Sequence, residues 1–240
     1  VNAPHPRRAR CTPIAAKWGA GGAIVTNANC AATGATVALA PLHEAFGVEA
    51  VIVTTLQAIS GAGYPGIPSL DILGNVIPYI ADEEPKIERE IPKMLGAWTG
   101  SHFLAADFRV SAQANRVPVE HGHLTCLTIK CRTPVTPAQA LEALCAWRGD
   151  DSARGLPSSP DRALAVFLDD ARPQPRRDVT LGRGMTVSVG RVRADPVFDI
   201  RLVALAHNTV RGAAGGSILN AEVLAAGGAL RSVGSVTSRA

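Results

Sequence analysis

The sequence predicts an α+β fold, a mixed β-sheet with helices mainly on one face, and three observations carry that expectation. Apolar runs rich in β-branched residues recur at 48–56, 108–119, 124–131, 185–192 and 198–206 and read as strands. Only a few segments, chiefly 31–46 and 136–147, space their apolar residues as a helix does. The chain is 240 residues long and 47% hydrophobic, enough for one large core or two modest ones, and it shows no internal repeat.

Taken in order, residues 1–22 combine Pro4, Pro6 and Pro13 with Arg7, Arg8 and Arg10, then Gly19, Gly21 and Gly22, and read as a lead-in segment with at most one short helix. An apolar run at 23–25 ends on Asn27, Ala28, Asn29 and Cys30. Helix 31–46 follows, with Val37, Leu39, Leu42 and Phe46 at helical spacing and Asn29 as N-cap. Cys30 then sits at the first turn, where unpaired N–H groups and the positive helix end favour a thiolate and could hold an oxyanion. A cysteine without partners is more often a small buried hydrophobe, so its neighbours decide.

Strand 48–56 leads into 57–66, whose Gly61, Gly63 and Gly66 either let backbone approach a ligand or form an ordinary surface turn. Pro85 suits the first turn of a helix beginning near Glu83 or Glu84. Lys86 and Glu90 would share a face there, and such a mixed charge run usually faces solvent. Strands 108–119 and 124–131 are read as joined across 120–123, with Pro118 marking an edge or bulge. His123 at the lip of the second and Arg116 near the end of the first could then enter one cleft. Thr136 and Pro137 begin an N-capped amphipathic helix over 136–147. Loops span 148–162 and the region of Pro173 and Pro175, and strands 185–192 and 198–206 flank a turn at Pro196. Residues 207–216, with Asn208 as a cap, lead into a tightly packed helix of small residues through Leu224, and the chain after Gly227 is small and polar.

Net charge is +4, but Lys and Arg are scattered and aromatics make up 4%, which argues against a nucleic-acid surface. No run approaches the ~18 apolar residues of a membrane span, so no membrane partner is expected. Five cysteines at 11, 30, 126, 131 and 145 are odd in number and irregularly spaced, which suits free thiols in a reducing, cytoplasmic compartment. Cys126 and Cys131 lack a second pair at zinc-site spacing, so no metal is expected.

Several stretches together resemble one family. They are Asn29-Cys30, the loop from Gln57 to Gly66, the run from Asn75 to Ile80, Glu83-Glu84-Pro85-Lys86, Arg116-Val117-Pro118-Val119 with Gly122-His123, and His207-Asn208-Thr209 with Arg211-Gly212-Ala213-Ala214. The family is the aspartate-semialdehyde dehydrogenases, particularly the fungal and archaeal branch, and the match covers nearly the whole chain in the family's order. It implies a catalytic and dimerisation domain similar to that of glyceraldehyde-3-phosphate dehydrogenase. The family's N-terminal Rossmann domain, with its Gly-x-x-Gly loop, is expected to end where this chain begins. That divides the chain into 1–22, a catalytic and dimerisation domain over 23–206, and a C-terminal helix and tail over 207–240. In the family this helix packs on the nucleotide domain.

Carried over by residue, the resemblance implies Cys30 as the nucleophile forming an acyl thioester, His123 as general acid and base, and Gln57 as the residue orienting the acyl group. Arg116 would clamp the substrate carboxylate with its bidentate fork. Glu83 would pair with the substrate ammonium and Lys86 with phosphate, leaving Glu84, Glu88 and Arg89 as surface. Ser60, Gly61, Gly63 and Asn208 would touch NADP. The implied reaction is NADP-dependent reductive dephosphorylation of aspartyl phosphate to aspartate semialdehyde and phosphate, in amino-acid biosynthesis, by a homodimer or homotetramer. Two other readings are a malonyl-CoA reductase-like enzyme, against which Glu83 argues, and a dimerisation or binding module without turnover.

Overall fold

The computed structural model describes residues 25–99 and 102–228; the lead-in 1–22 and the chain from 229 onward lie outside the described residues. Helix α1 (Cys30–Phe46) is the hub. Asn29 begins it, its side-chain oxygen accepting from the N–H groups of Ala31 and Ala32 at 3.0 and 2.9 Å. Every residue from 31 to 42 is buried. The alanines among them leave room for close packing on the sheet.

Strand β1 (Val48–Gln57) is followed by a 3-10 turn, Ile59–Ala62, and by one turn of helix, α2 (Ser69–Ile72). Helix α3 (Glu83–Met94) then precedes a small ribbon of β2 (Ala97–Trp98) and β3 (Phe103–Leu104). Strands β4 (Arg109–Arg116) and β5 (His123–Cys131) come next, then helix α4 (Pro137–Ala146), which has a full capping box between Thr136 and Gln139. The remainder is β6 (Leu164–Val166), the short α5 (Pro175–Asp178), β7 (Val187–Ala194), β8 (Ile200–Ala206), a π turn at Val210–Ala214, and α6 (Gly215–Ala226). Sequence pattern missed β6, whose three residues are too few to show a period.

The main sheet runs β4-β1-β5-β8-β7-β6; β4 is parallel to β1 and β6 to β7, and the other pairs are antiparallel. Strands β4 and β5 are therefore not neighbours, contrary to the expected joining across 120–123. β1 lies between them, and residues 117–122 cross its end, with Val117 N–H donating to Gln57 O at 3.0 Å and Ile59 N–H to Val119 O at 2.8 Å. This crossover places Gln57 opposite Arg116 and His123 opposite Ala206 at one edge of the sheet.

Helices α1, α3 and α4 lie on one face, where Val37, Leu39, Leu42, Ile87 and Leu144 meet Val51, Val53, Leu127, Ile129 and Leu202 in the core. The opposite face is open over β1 and β5: Ile52 is 45% exposed, Cys126 is exposed, and Thr54, Leu56, Leu124 and Thr128 are half-buried. Among the described residues no helix is long and apolar enough to cross a membrane.

Candidate active site

The sheet edge built by the crossover faces the N-terminus of α1, and Cys30 and His123 meet there. Cys30 Sγ lies 3.3 Å from His123 Nε2. Ala58 N–H donates to the other ring nitrogen, Nδ1, at 3.1 Å, which assigns the neutral ring's proton to Nε2, against the sulfur. The ring is 1% exposed. Burial and then the charge of Arg116 push its pKa down to about 3, against a smaller opposing effect of the Gly122 backbone, so the imidazole rests neutral.

The thiol departs from the sequence-based expectation of a favoured thiolate. Burial first and the charge of Glu83 second push Cys30 up to about 11, outweighing the backbone hydrogen bonds of the helix start. Desolvation of a half-buried sulfur beside a carboxylate is worth more here than the helix end.

Around this pair the structure assembles the other expected residues. Gln57 Nε2 donates to Glu83 Oε1 at 2.8 Å and to Thr55 Oγ1 at 3.2 Å. Asn29 Nδ2 donates to the other Glu83 oxygen at 3.0 Å, and Asn29 N–H donates to Glu90 Oε2 at 2.6 Å. The residue that caps α1 thus also ties the nucleophile's backbone to α3. Arg116 is 5% exposed; its Nη1 donates to Ala58 O at 2.7 Å, while its buried Nε has no partner in the protein. Gly61 rests on both Arg116 and His123: a Cβ there would stand 2.9 Å from Arg116 Nη1 and 3.1 Å from the His123 ring. Only a residue without a side chain lets the turn close over them.

Ser60 and Asn208 are brought together, Asn208 Nδ2 donating to Ser60 Oγ at 2.8 Å while its Oδ1 accepts from Gly122 N–H at 2.9 Å. Asn208 is 2% exposed with both amide atoms engaged inside the protein. It braces the turn from behind, at a position that the family resemblance assigns to NADP contact. Gly63, by contrast, is exposed at φ +71° with open space where a side chain would be. Lys86 stands exposed on α3, one turn beyond Glu83, and forms no ion pair among the described residues.

Three contributors were not read from the sequence. Ala58 uses its carbonyl on Arg116 and its N–H on His123, a backbone role that leaves no trace in residue type. Thr55 supports Gln57. Gly212 backs the nucleophile: a Cβ there would lie 2.6 Å from Cys30 Cβ. The signal was present in the run of small residues at 212–216, which implied close packing. Their partners include Cys30, Met185 and Asn27 of this chain, while Ile218 on α6 stays 53% exposed.

A cysteine at a helix start with a histidine Nε2–H against its sulfur is an arrangement suited to nucleophilic acyl transfer. The aspartate-semialdehyde dehydrogenase of Schizosaccharomyces pombe is 50% identical over 208 residues, covering 84% of this chain and 58% of its own length. The enzyme of the same name from Methanothermobacter thermautotrophicus is 44% identical over 205 residues, covering 85% and 59%. Among solved structures, the Candida albicans aspartate semialdehyde dehydrogenase with NADP superposes with a TM-score of 0.78 at 38% identity, over 90% of this chain and 61% of that one. The chain thus spans about 58% of the length of the curated relatives it matches. The semialdehyde dehydrogenase dimerisation domain matches residues 39–211, well over half of these 240 residues, and the chain belongs to that family.

Proposed function

We propose that this chain is the catalytic and dimerisation part of an NADP-dependent aspartate-semialdehyde dehydrogenase, and the 3.3 Å contact of Cys30 Sγ with His123 Nε2 is the observation that carries the reading. Support also comes from relatives of that name over most of the chain. In this reading residues 23–206 form the catalytic unit and 207–240 the C-terminal helix and tail.

Cys30 Sγ attacks the acyl carbon of aspartyl phosphate; the C–S bond forms, the C–O bond to phosphate breaks, and the thiol proton leaves with the phosphate. The Nε2–H of His123 donates to sulfur, lowering the cost of the thiolate as it attacks and as it later departs. The Cys30 N–H, the first of α1 and the one that the Asn29 cap does not take up, serves the developing oxyanion. Glu83 receives the substrate ammonium, whose charge offsets the one that holds the thiol protonated. The unpaired Nε of Arg116 is a donor set toward the substrate carboxylate. Lys86 is free to balance phosphate.

The site fits the reacting end of NADP in one respect: the turn 59–62 and exposed Gly63 offer bare backbone beside the Cys30 and His123 pair. Ser60, Gly61 and Gly63 would line that approach, with Asn208 behind them. NADP, when bound, supplies the hydride chemistry at the acyl carbon. The open face over β1 and β5 would carry a homodimer.

The test is protection of Cys30. Aspartate semialdehyde should slow iodoacetamide alkylation of Cys30, read by mass spectrometry of its peptide, and Arg116→Leu should weaken that protection at least about tenfold. Protection by malonate semialdehyde with none by aspartate semialdehyde would shift the reading to an acyl-CoA reductase. No protection by either would sink it.

A further inference from the structure

Behind the π turn that backs Cys30, the structure holds a second concave feature with no part in that chemistry. It is a cavity of about 250 Å³ between the loop 147–163 and α6, with Trp147, Ser159 and Leu219 in its wall. Arg211 also lines it. The side chain is 5% exposed, its Nε has no hydrogen-bond partner, and among the described residues its guanidinium makes no ion pair. Burial alone pushes its pKa down to about 10, and the group remains cationic at neutral pH.

A guanidinium taken out of water is strongly disfavoured unless opposite charge and hydrogen bonds compensate it. The other charged groups of the wall do not supply that compensation. Arg154 pairs with Asp151, and Arg148 donates to Cys145 O at 2.8 Å. Asp150 Oδ1 accepts from the N–H and hydroxyl of Ser152, and Asp161 is turned to solvent. Three arginines against two aspartates leave the cavity wall positive. Residues 1–24, 100–101 and 229–240 contain no Asp or Glu, so no acidic side chain from those parts of the chain can neutralise Arg211. Water could satisfy its hydrogen bonds but not its charge.

We propose that the Arg211 cavity is a binding site for a small free oxyanion, a phosphate or a carboxylate, held by the fork of Arg211 with Ser159 beside it. The planar guanidinium matches two oxygens of either anion at once. Because Gly212, the next residue, packs on Cys30, an anion here also fixes the turn that supports the nucleophile.

Trp147 gives a local readout, since it lines the cavity and its indole N–H is held by donation to Glu44 at 3.0 Å. The ¹⁵N-labelled chain is titrated with inorganic phosphate, with succinate, and with sodium chloride at matched ionic strength, following the Trp147 indole resonance, assigned through Trp147→Phe. A saturable shift with phosphate alone, succinate alone or both supports the site and identifies the anion. Arg211→Met should abolish the shift, and Arg211→Lys, which keeps the charge but loses the fork, should weaken binding at least about tenfold. No saturable shift with either anion, an equal shift with chloride, or a shift that survives in Arg211→Met overturns the proposal. Should Arg211→Met fail to fold, Arg211→Lys decides alone, and unchanged affinity in it counts against the site. Phosphate and succinate also suit the Cys30 site of the proposed function, but Arg211→Met leaves Arg116 and Lys86 in place, so a shift lost in that variant belongs to this cavity and is independent of the proposed activity.

Discussion

At a pKa of about 11, only about one Cys30 in ten thousand is a thiolate at pH 7. Reactivity at this residue is therefore governed by whatever lowers that value, and the charge of Glu83 is the largest cause after burial. Replacing Glu83 by Gln removes the charge while its one amide oxygen can still accept from Gln57 or from Asn29. The pH midpoint for iodoacetamide alkylation of Cys30 should fall in Glu83→Gln, with the rate at pH 8 rising roughly tenfold. An unmoved or higher midpoint would show that burial alone sets the thiol. Cys30 was legible in the sequence from the helix N-cap and the family motifs, and His123 from the family motifs. The protonation of the pair was not, because desolvation depends on how Glu83 and Arg116, far off in the chain, close over the sulfur.

Helix α3 shows the same contrast one level up. Its charge run read as a solvated face, with Glu84 and Glu88 as surface. In the structure Glu84 Oε1 accepts from Ala114 N–H at 2.9 Å and Glu88 Oε1 from Ala112 N–H at 3.0 Å. Strand β4 is the edge of the sheet, and these two carboxylates, one helical turn apart, take up the N–H groups that no strand pairs. Glu83 and Glu90, on another face of the helix, serve the start of α1. Urea unfolding of Glu84→Ala and Glu88→Ala should show losses of about 1–2 kcal/mol each, smaller for the more exposed Glu88, against almost none for Arg89→Ala. Equal, near-zero effects in all three would return the run to a solvated face. The helix itself was visible from Pro85 and its charges. Its sheet-facing side was hidden by the expected joining of β4 to β5, since only with β1 between them does β4 become an edge that needs covering.

On the scale of the whole molecule, the helices stack on one face of the sheet and leave the other unmatched. Strands β1 and β5 present Ile52, Leu56 and Leu124 there beside Thr54 and Thr128, while residues 172–183 already cover the face near β7, where the carbonyl of Arg172 would stand 2.3 Å from a Cβ on Gly190. A half-covered sheet face of this kind is a common place for a second copy to pack, because an isologous contact buries the same strands twice. The homodimer proposed above would use it. Ile52 is the most exposed aliphatic side chain of that face and lies mid-strand on β1, five residues from Gln57 and on the other face of the sheet, so a charge there should break the contact without disturbing the site. Sedimentation velocity of the chain at micromolar concentration should give a dimer, and Ile52→Lys a monomer whose Cys30 is alkylated at the unaltered rate. A dimer that persists in Ile52→Lys would move the contact to another surface, whereas a monomeric parent chain would mean that this face alone does not hold two copies together.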